Sequence, residues 1–398
     1  MKDLTPFTIY SPFCGNNALA EQQYRQAYCD FCFVSNGYTY INRTKTVSRI
    51  VCLLALPVQK QPFYRWMRFV CWCMLLVAVA LLAACAKPYV HPSPGTHASP
   101  QLMDSYALME DGYLLPLSRW EAVGNTRAVL LSLHGLNDYS YAFDNLGQHL
   151  ANHGITVIAY DQRGFGNTDG HGYWHGSERL SADLVAMTAL LREQYAGVPL
   201  YLLGESMGGA VVLSSLASAP LDVDGTVLVA PAVWARDTMP YYQRIALWIG
   251  AHTLPDKQLT GDGLDLKPSD NIDMLRALAR DDLVIKATRI DVLYGVSNLM
   301  DRAALASSEV PGDILLLYGK QDDIIPAVPT CQLLERLSHN GTTRLSAVIY
   351  EQGYHMLTRD LQAGLVLEDI STWILEHEKA RIPGSDMRSY CARLNGPE

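Results

Sequence analysis

Residues 199–203, Pro-Leu-Tyr-Leu-Leu, form an apolar run of strand length that leads directly into Gly204-Glu205-Ser206-Met207-Gly208-Gly209 and then into a helical pattern. A G-x-S-x-G between strand and helix narrows the possible folds sharply. It places a serine on a turn so tight that its hydroxyl is pushed clear of the backbone. Gly204 and Gly208 leave room where strand and helix pass closest. The helix amino end adds partial positive charge beside the serine, where an oxyanion would form.

Around this turn, strand and helix patterns alternate. Apolar runs at Ala128–Leu133, Ile155–Tyr160, Pro199–Leu203, Gly225–Ala230, Asp313–Tyr318 and Leu345–Tyr350 read as buried strands. Helical patterns lie between and after them, at Asp144–Asn152, Leu180–Tyr195, Ser206–Ala217, Thr330–Ser338 and Leu361–His377. This order predicts an α/β fold with a mostly parallel central sheet flanked by helices. Ser105–Glu121, with Asp111-Gly112 in its middle, reads as a leading hairpin. From Arg236 to Ser308 no strand signal appears, only helical patterns at Tyr241–Ile249, Met274–Arg280 and Asp291–Ala304. The expected domain plan is therefore a core of 103–235 and 308–380, a helical cap of 236–307 over the sheet's carboxyl edge, and a C-terminal tail of 381–398.

A serine hydroxyl needs a base, and the base an orienting acid. α/β-Hydrolases supply them in the order Ser, acid, His. Asp322 follows the strand Asp313–Tyr318, and His355 follows Leu345–Tyr350, so both can converge on Ser206; Asp323 competes for the acid role. His339 and His377 sit late in helices, where capping or solvent contact is the simpler role. The two oxyanion donors are expected to be the backbone N–H groups of Met207 and of Leu136, in the loop after Ala128–Leu133. Gly164-x-Gly166 lacks the lysine of a phosphate loop and reads as a turn beside a buried arginine. His171 and His175 lack a third metal ligand and read as solvent-facing loop residues. In the apolar cap, Trp248 and Leu299 are the expected acyl-pocket residues.

Five stretches together carry a family resemblance: His134-Gly135, Asp161-Gln162-Arg163-Gly164-Phe165-Gly166, Gly204–Gly209, Gly319-Lys320-Gln321-Asp322 and Gly353-Tyr354-His355. The chain resembles the monoacylglycerol lipase/lysophospholipase group of serine hydrolases, which overlaps the serine aminopeptidase S33 label. Arg280-Asp281-Asp282-Leu283-Val284 is similar to that group's R-D-P-L-V stretch, with Asp282 in place of proline. Asn137-Asp138-Tyr139 replaces its usual G-E-H. The resemblance covers roughly 103–378. It implies the α/β-hydrolase fold, an acyl-enzyme mechanism on single-chain lipid esters, and no metal or organic cofactor. A peptidase, thioesterase or acyltransferase on the same fold, and a non-catalytic lipid- or partner-binding lipoprotein, are the alternatives.

The amino-terminal part has a different character. Residues 1–66 hold seven Lys/Arg and three Asp/Glu, four cysteines and no sustained period, and read as upstream sequence from a misassigned start, with a genuine cytoplasmic extension as the alternative. Met67-Arg68, the apolar run Phe69–Leu82 and Leu82-Ala83-Ala84-Cys85 read as a bacterial lipoprotein signal, with Cys85 as the lipidated residue. A membrane anchor over 69–86 is the alternative. Residues 86–102, rich in Pro and Ser, read as a tether. Ala86, not aspartate, follows Cys85, so an outer-membrane location is expected in a Gram-negative cell. Residues 86–398 carry 23 Lys/Arg against 37 Asp/Glu, a net of −14, which argues against nucleic acid as a partner. No obligate protein partner is implied. Only Cys331 and Cys391 follow Cys85; they can pair, but nothing in the sequence requires it.

Overall fold

The computed structural model describes residues 62–84, 87–376 except 262 and 264, and 385–394. Cys85, His377 and the first 61 residues lie outside the described residues. Helix α1 covers Pro62–Ala84 and so includes residues 67–84 of the segment read as a signal.

The sheet has ten strands: β1 Gln101–Leu102, β2 Tyr106–Leu108, β3 Leu114–Trp120, β4 Ala128–Leu133, β5 Ile155–Tyr160, β6 Leu200–Glu205, β7 Gly225–Val229, β10 Gly312–Gly319, β11 Thr343–Tyr350 and β12 Ser385–Asp386. Their spatial order is β1-β2-β3-β5-β4-β6-β7-β10-β11-β12. The six from β5 to β11 run parallel. The leading hairpin β2–β3 and the last strand β12 add antiparallel edges. Strands buried on both faces have no need to alternate, and β4, β5 and β6 are buried at every position.

Val129, Leu131 and Leu133 of β4 point into one layer, where they meet helices α3 (Ser177–Gln194), α4 (Met207–Ser218) and α8 (Ala327–His339). Ala128 and Leu130 point into the other, against α2 (Asp144–Asn152) and α9 (Ala363–Glu376). The cap holds α5 (Tyr241–Thr253), α6 (Ile272–Arg280) and α7 (Ile290–Ala306). It differs from expectation in containing a two-stranded antiparallel ribbon, β8 Gln258–Thr260 with β9 Ala287–Arg289. Three residues per strand, with β8 exposed throughout, are too few to leave a period in the sequence.

Two further expectations change. The stretch read as a free tether is strapped to the core. His91 N donates to Trp174 O at 2.7 Å, Ser93 Oγ to Asp111 Oδ2 at 2.7 Å, and Ala98 N to Glu110 O at 2.8 Å. Its composition cannot supply a core, but its backbone finds partners on one that already exists. Residues 385–394 of the expected tail form β12 and helix α10 (Met387–Leu394), which a Cys331–Cys391 disulfide ties to α8.

Candidate active site

Ser206 stands between β6 and α4 with φ +52° and ψ −116°, a left-handed backbone that side chains rarely adopt. The crossing is tight. A Cβ on Gly208 would lie 2.1 Å from the Leu133 carbonyl oxygen, and one on Gly204 would lie 2.6 Å from the Gly209 backbone. Two hydrogen bonds hold the turn: Ser206 N to Val229 O at 3.0 Å and Ala232 N to Ser206 O at 2.9 Å. The residues on either side are buried while Ser206 stays partly exposed.

The loops after β10 and β11 bring the other two groups to it. His355 Nε2 lies 2.9 Å from Ser206 Oγ, and His355 Nδ1 lies 2.8 Å from Asp322 Oδ2. The second Asp322 oxygen accepts from Ile324 N at 2.8 Å and Ile325 N at 2.9 Å, which fixes the carboxylate. Asp323, the competing acid, is exposed. Burial alone would lower the His355 pKa. The charge and hydrogen bond of Asp322 outweigh it and leave the imidazole raised above its usual value. Such a chain can pass the serine proton to the imidazole and hold the imidazolium that results.

Met207 follows the serine directly, and Leu136 lies in the loop after β4. A Cβ on Gly135 would stand 3.3 Å from that of Ser206, so the loop after β4 lies against the hydroxyl. That loop is pinned from several sides. His134 accepts from Gln162 N at Nε2 (2.9 Å), so its Nδ1–H donates to Gly135 O at 2.8 Å; burial lowers its pKa and keeps it neutral. Asn137, at φ +67°, donates to Thr288 Oγ1 of β9 at 2.7 Å. Asp138 lies 2.8 Å from Arg359 Nη1, and Tyr139 Oη donates to Asp281 Oδ2 at 2.8 Å. The triplet that departs from G-E-H thus anchors the loop to the cap and to a buried arginine. Arg359 also donates to Glu205 Oε1 at 3.0 Å, and Thr358 Oγ1 to Glu205 Oε2 at 2.8 Å. Sequence reasoning missed this cluster; its one local trace is a Glu in the position before the serine.

Several sequence expectations need correction or a new role. Leu299 is fully buried in the main core cluster, and Trp248 is 41% exposed, stacked on His252. Neither lines the cleft of about 490 Å³ beside the loop after β4, whose walls include Tyr139, Tyr141, Met274, Leu278, Asp281 and Arg359. An apolar cap residue reads alike whether it packs or lines a pocket. His175 is buried, not solvent-facing: its ring lies tilted against His91 of the strap at 4.7 Å between centroids, and burial, with His91 beside it, pushes its pKa down to about 4. His171 is exposed and His339 caps its own helix through Glu335 O, as expected. Arg163 is the buried arginine of the Gly164–Gly166 turn, paired with both oxygens of Asp183 and with Asp111.

A parallel sheet with a strained serine at the carboxyl end of a central strand, and an acid and a histidine on later strand ends, defines the α/β-hydrolase class. The family model "Serine aminopeptidase, S33" matches residues 124–362, and the chain belongs to that family. It is 26% identical over 275 residues to the human monoglyceride lipase, covering 66% of this chain and 88% of that one. It is 25% identical over 266 residues to the monoacylglycerol lipase of Mycolicibacterium smegmatis, covering 65% and 91%. In fold it is similar to the Paleococcus ferrophilus monoacylglycerol lipase (TM-score 0.56, 23% identity, 66% and 99% coverage) and to a soluble variant of the Saccharomyces cerevisiae monoglyceride lipase (TM-score 0.58, 20%, 72% and 99%). The protein is a hydrolase of the carboxylic-ester class.

Proposed function

We propose that the protein hydrolyses single-chain lipid esters, a monoacylglycerol or a lysophospholipid. Ser206 attacks the ester carbonyl as His355 takes its proton, and Asp322 orients the imidazole. The N–H groups of Leu136 and Met207 hold the oxyanion. His355 returns the proton to the leaving alcohol, an acyl-Ser206 ester forms, and water activated by His355 releases the fatty acid. The observation that carries this reading is the unbroken Ser206–His355–Asp322 hydrogen-bond chain. The similarity to monoglyceride lipases favours a glycerol ester over an aminoacyl amide as substrate. The test is turnover of glycerol monoesters, lysolipids and aminoacyl amides side by side, with fluorophosphonate labelling of wild type and Ser206→Ala. Amide turnover above ester turnover overturns the substrate, and labelling of Ser206→Ala overturns the nucleophile.

We further propose that the enzyme is an envelope lipoprotein held by lipid on Cys85. A signal-like segment precedes that cysteine, and the Cys331–Cys391 bridge suits an oxidising compartment outside the cytoplasm.

A further inference from the structure

We propose that His149, His153 and Glu368 form a binding site for one divalent transition-metal ion of the zinc type. His149 lies in the last turn of α2 and His153 immediately caps that helix. A spacing of four puts both imidazoles on one face, and their rings stack with centroids 4.6 Å apart. Glu368 comes from α9, a distant stretch of chain that packs beside α2 on the same side of the sheet.

The distances suit a shared ion. Glu368 Oε2 lies 3.6 Å from His149 Nε2 and 3.9 Å from His153 Nε2, and one ligand atom from each residue falls within 4.8 Å of the others. Around a tetrahedral zinc, with bonds of about 2.0–2.2 Å, neighbouring ligand atoms are about 3.4 Å apart. Closing the set therefore takes small side-chain rotations and no backbone movement.

The protonation pattern points the same way. His153 Nδ1 lies 2.9 Å from His149 O, a carbonyl that can only accept, so this nitrogen carries the hydrogen. In the neutral ring Nε2 is then a bare lone pair, and it faces a carboxylate oxygen. A backbone carbonyl that fixes the tautomer of a histidine is the usual support for a metal ligand. His149 Nε2 is shielded from solvent and has no hydrogen-bond partner within the ordinary limit. The His153 lone pair turned toward a carboxylate calls for a cation between them. Two imidazoles and one carboxylate select the zinc class over magnesium or calcium, which take oxygen ligands. Glu368 is largely exposed, which leaves a path for the ion and room for water as fourth ligand.

The ion would clamp two helices that follow the site's loops. α2 comes after the loop bearing Leu136, and α9 after the loop bearing His355. The Asn145 side-chain amide already joins α2 to the loop before α9 by donating to Thr358 O at 3.1 Å. The clamp is structural and takes no part in the chemistry proposed for Ser206.

The experiment is calorimetric titration of the metal-stripped full chain with zinc chloride at pH 7.5, beside Glu368→Gln and the double variant His149→Ala/His153→Ala. Wild type is expected to bind one more equivalent than the double variant. Glu368→Gln is expected to bind that equivalent at least tenfold more weakly, and zinc should raise the melting temperature of wild type but not of Glu368→Gln. Glu368 is exposed, so its glutamine variant keeps the question open even if the double variant does not fold. Equal stoichiometry, affinity and melting shift in wild type and Glu368→Gln overturn the proposal and leave a protonated His–Glu cluster.

Discussion

Arg359 donates to Glu205 at 3.0 Å, and so joins the loop that follows His355 to the residue immediately before Ser206. The same guanidinium lies 2.8 Å from Asp138, in the loop that carries Leu136. One buried cation thus ties together the nucleophile turn, the loop bearing the base and the proposed oxyanion loop. Removing one partner of a buried pair leaves an uncompensated charge and costs about 3–5 kcal/mol. Arg359→Met leaves two carboxylates unpaired. It should lower stability by at least that much in urea titration and reduce ester turnover more than KM. Unchanged stability and turnover would remove the cluster from this role.

The pH profile follows from His355. Its pKa is raised because Asp322 outweighs burial, and the proposed base works only when neutral. The acid limb of kcat/KM should therefore have its midpoint above the ordinary histidine value of about 6.5. The stability linkage has the opposite sense. A raised folded pKa means that protonated His355 stabilises the fold fully below about pH 6.5, and that this contribution is lost as pH rises through the folded value. Asp322→Asn should remove both effects. An acid limb at or below 6.5 in wild type would count against His355 as the base.

Substitution of the triad positions separates the two aspartates. Ser206→Ala should lower kcat by about 10⁶, and Asp322→Asn by about 10⁴, as in the best-measured serine hydrolases. Asp323→Asn should stay near wild type, since Asp323 is exposed and Asp322 holds the bond to the imidazole. Steady-state kinetics on one soluble ester decides the assignment, and the reverse order would move the acid to Asp323.

What could be read from the sequence followed burial. Ala128–Leu133 and Ile155–Tyr160 were readable to the residue because strands covered on both faces are unbroken apolar runs. Ser206, Asp322 and His355 were readable because each sits at a strand end in a local motif. Arg359 was not, because its bond to Glu205 spans 154 residues and no local pattern announces it. Composition also misled. Residues 91–98 look like linker because they have little to bury, yet backbone hydrogen bonds dock them. The glycine-rich surroundings of His175 suggest an open loop, yet the strap covers its ring. His149, His153 and Glu368 meet only when the fold packs α9 against α2.

The cap substitutions now divide by burial. Leu299→Ala opens a cavity in the core and should cost about 2–5 kcal/mol of stability, with the acyl-chain preference of the remaining folded enzyme unchanged. Trp248→Ala, at a partly exposed position, should change stability by no more than about 0.5 kcal/mol. Chemical denaturation paired with an acyl-chain series measures both. A flattened chain-length preference in Leu299→Ala would return that residue to the substrate.

The Cys331–Cys391 bridge ties α10 to α8 across a sequence separation of 60. Closing a loop of that size in the unfolded chain is worth about 4 kcal/mol in the chain-entropy description. Cys391→Ala should therefore lose stability of that order, together with protection of 385–394 from proteolysis, while Ser206 remains reactive toward fluorophosphonate. The test also bears on the compartment, because a disulfide of this kind persists only where thiols are kept oxidised. The protein purified from an envelope fraction under thiol-trapping conditions should show neither cysteine alkylated. With Cys85 as the proposed lipid attachment, Cys85→Ser should release the active enzyme from membranes, or leave it as precursor, without changing the oxidation of Cys331 and Cys391. Alkylation of both cysteines in the native protein, or membrane retention of fully processed Cys85→Ser, would argue for a reducing compartment or another anchor.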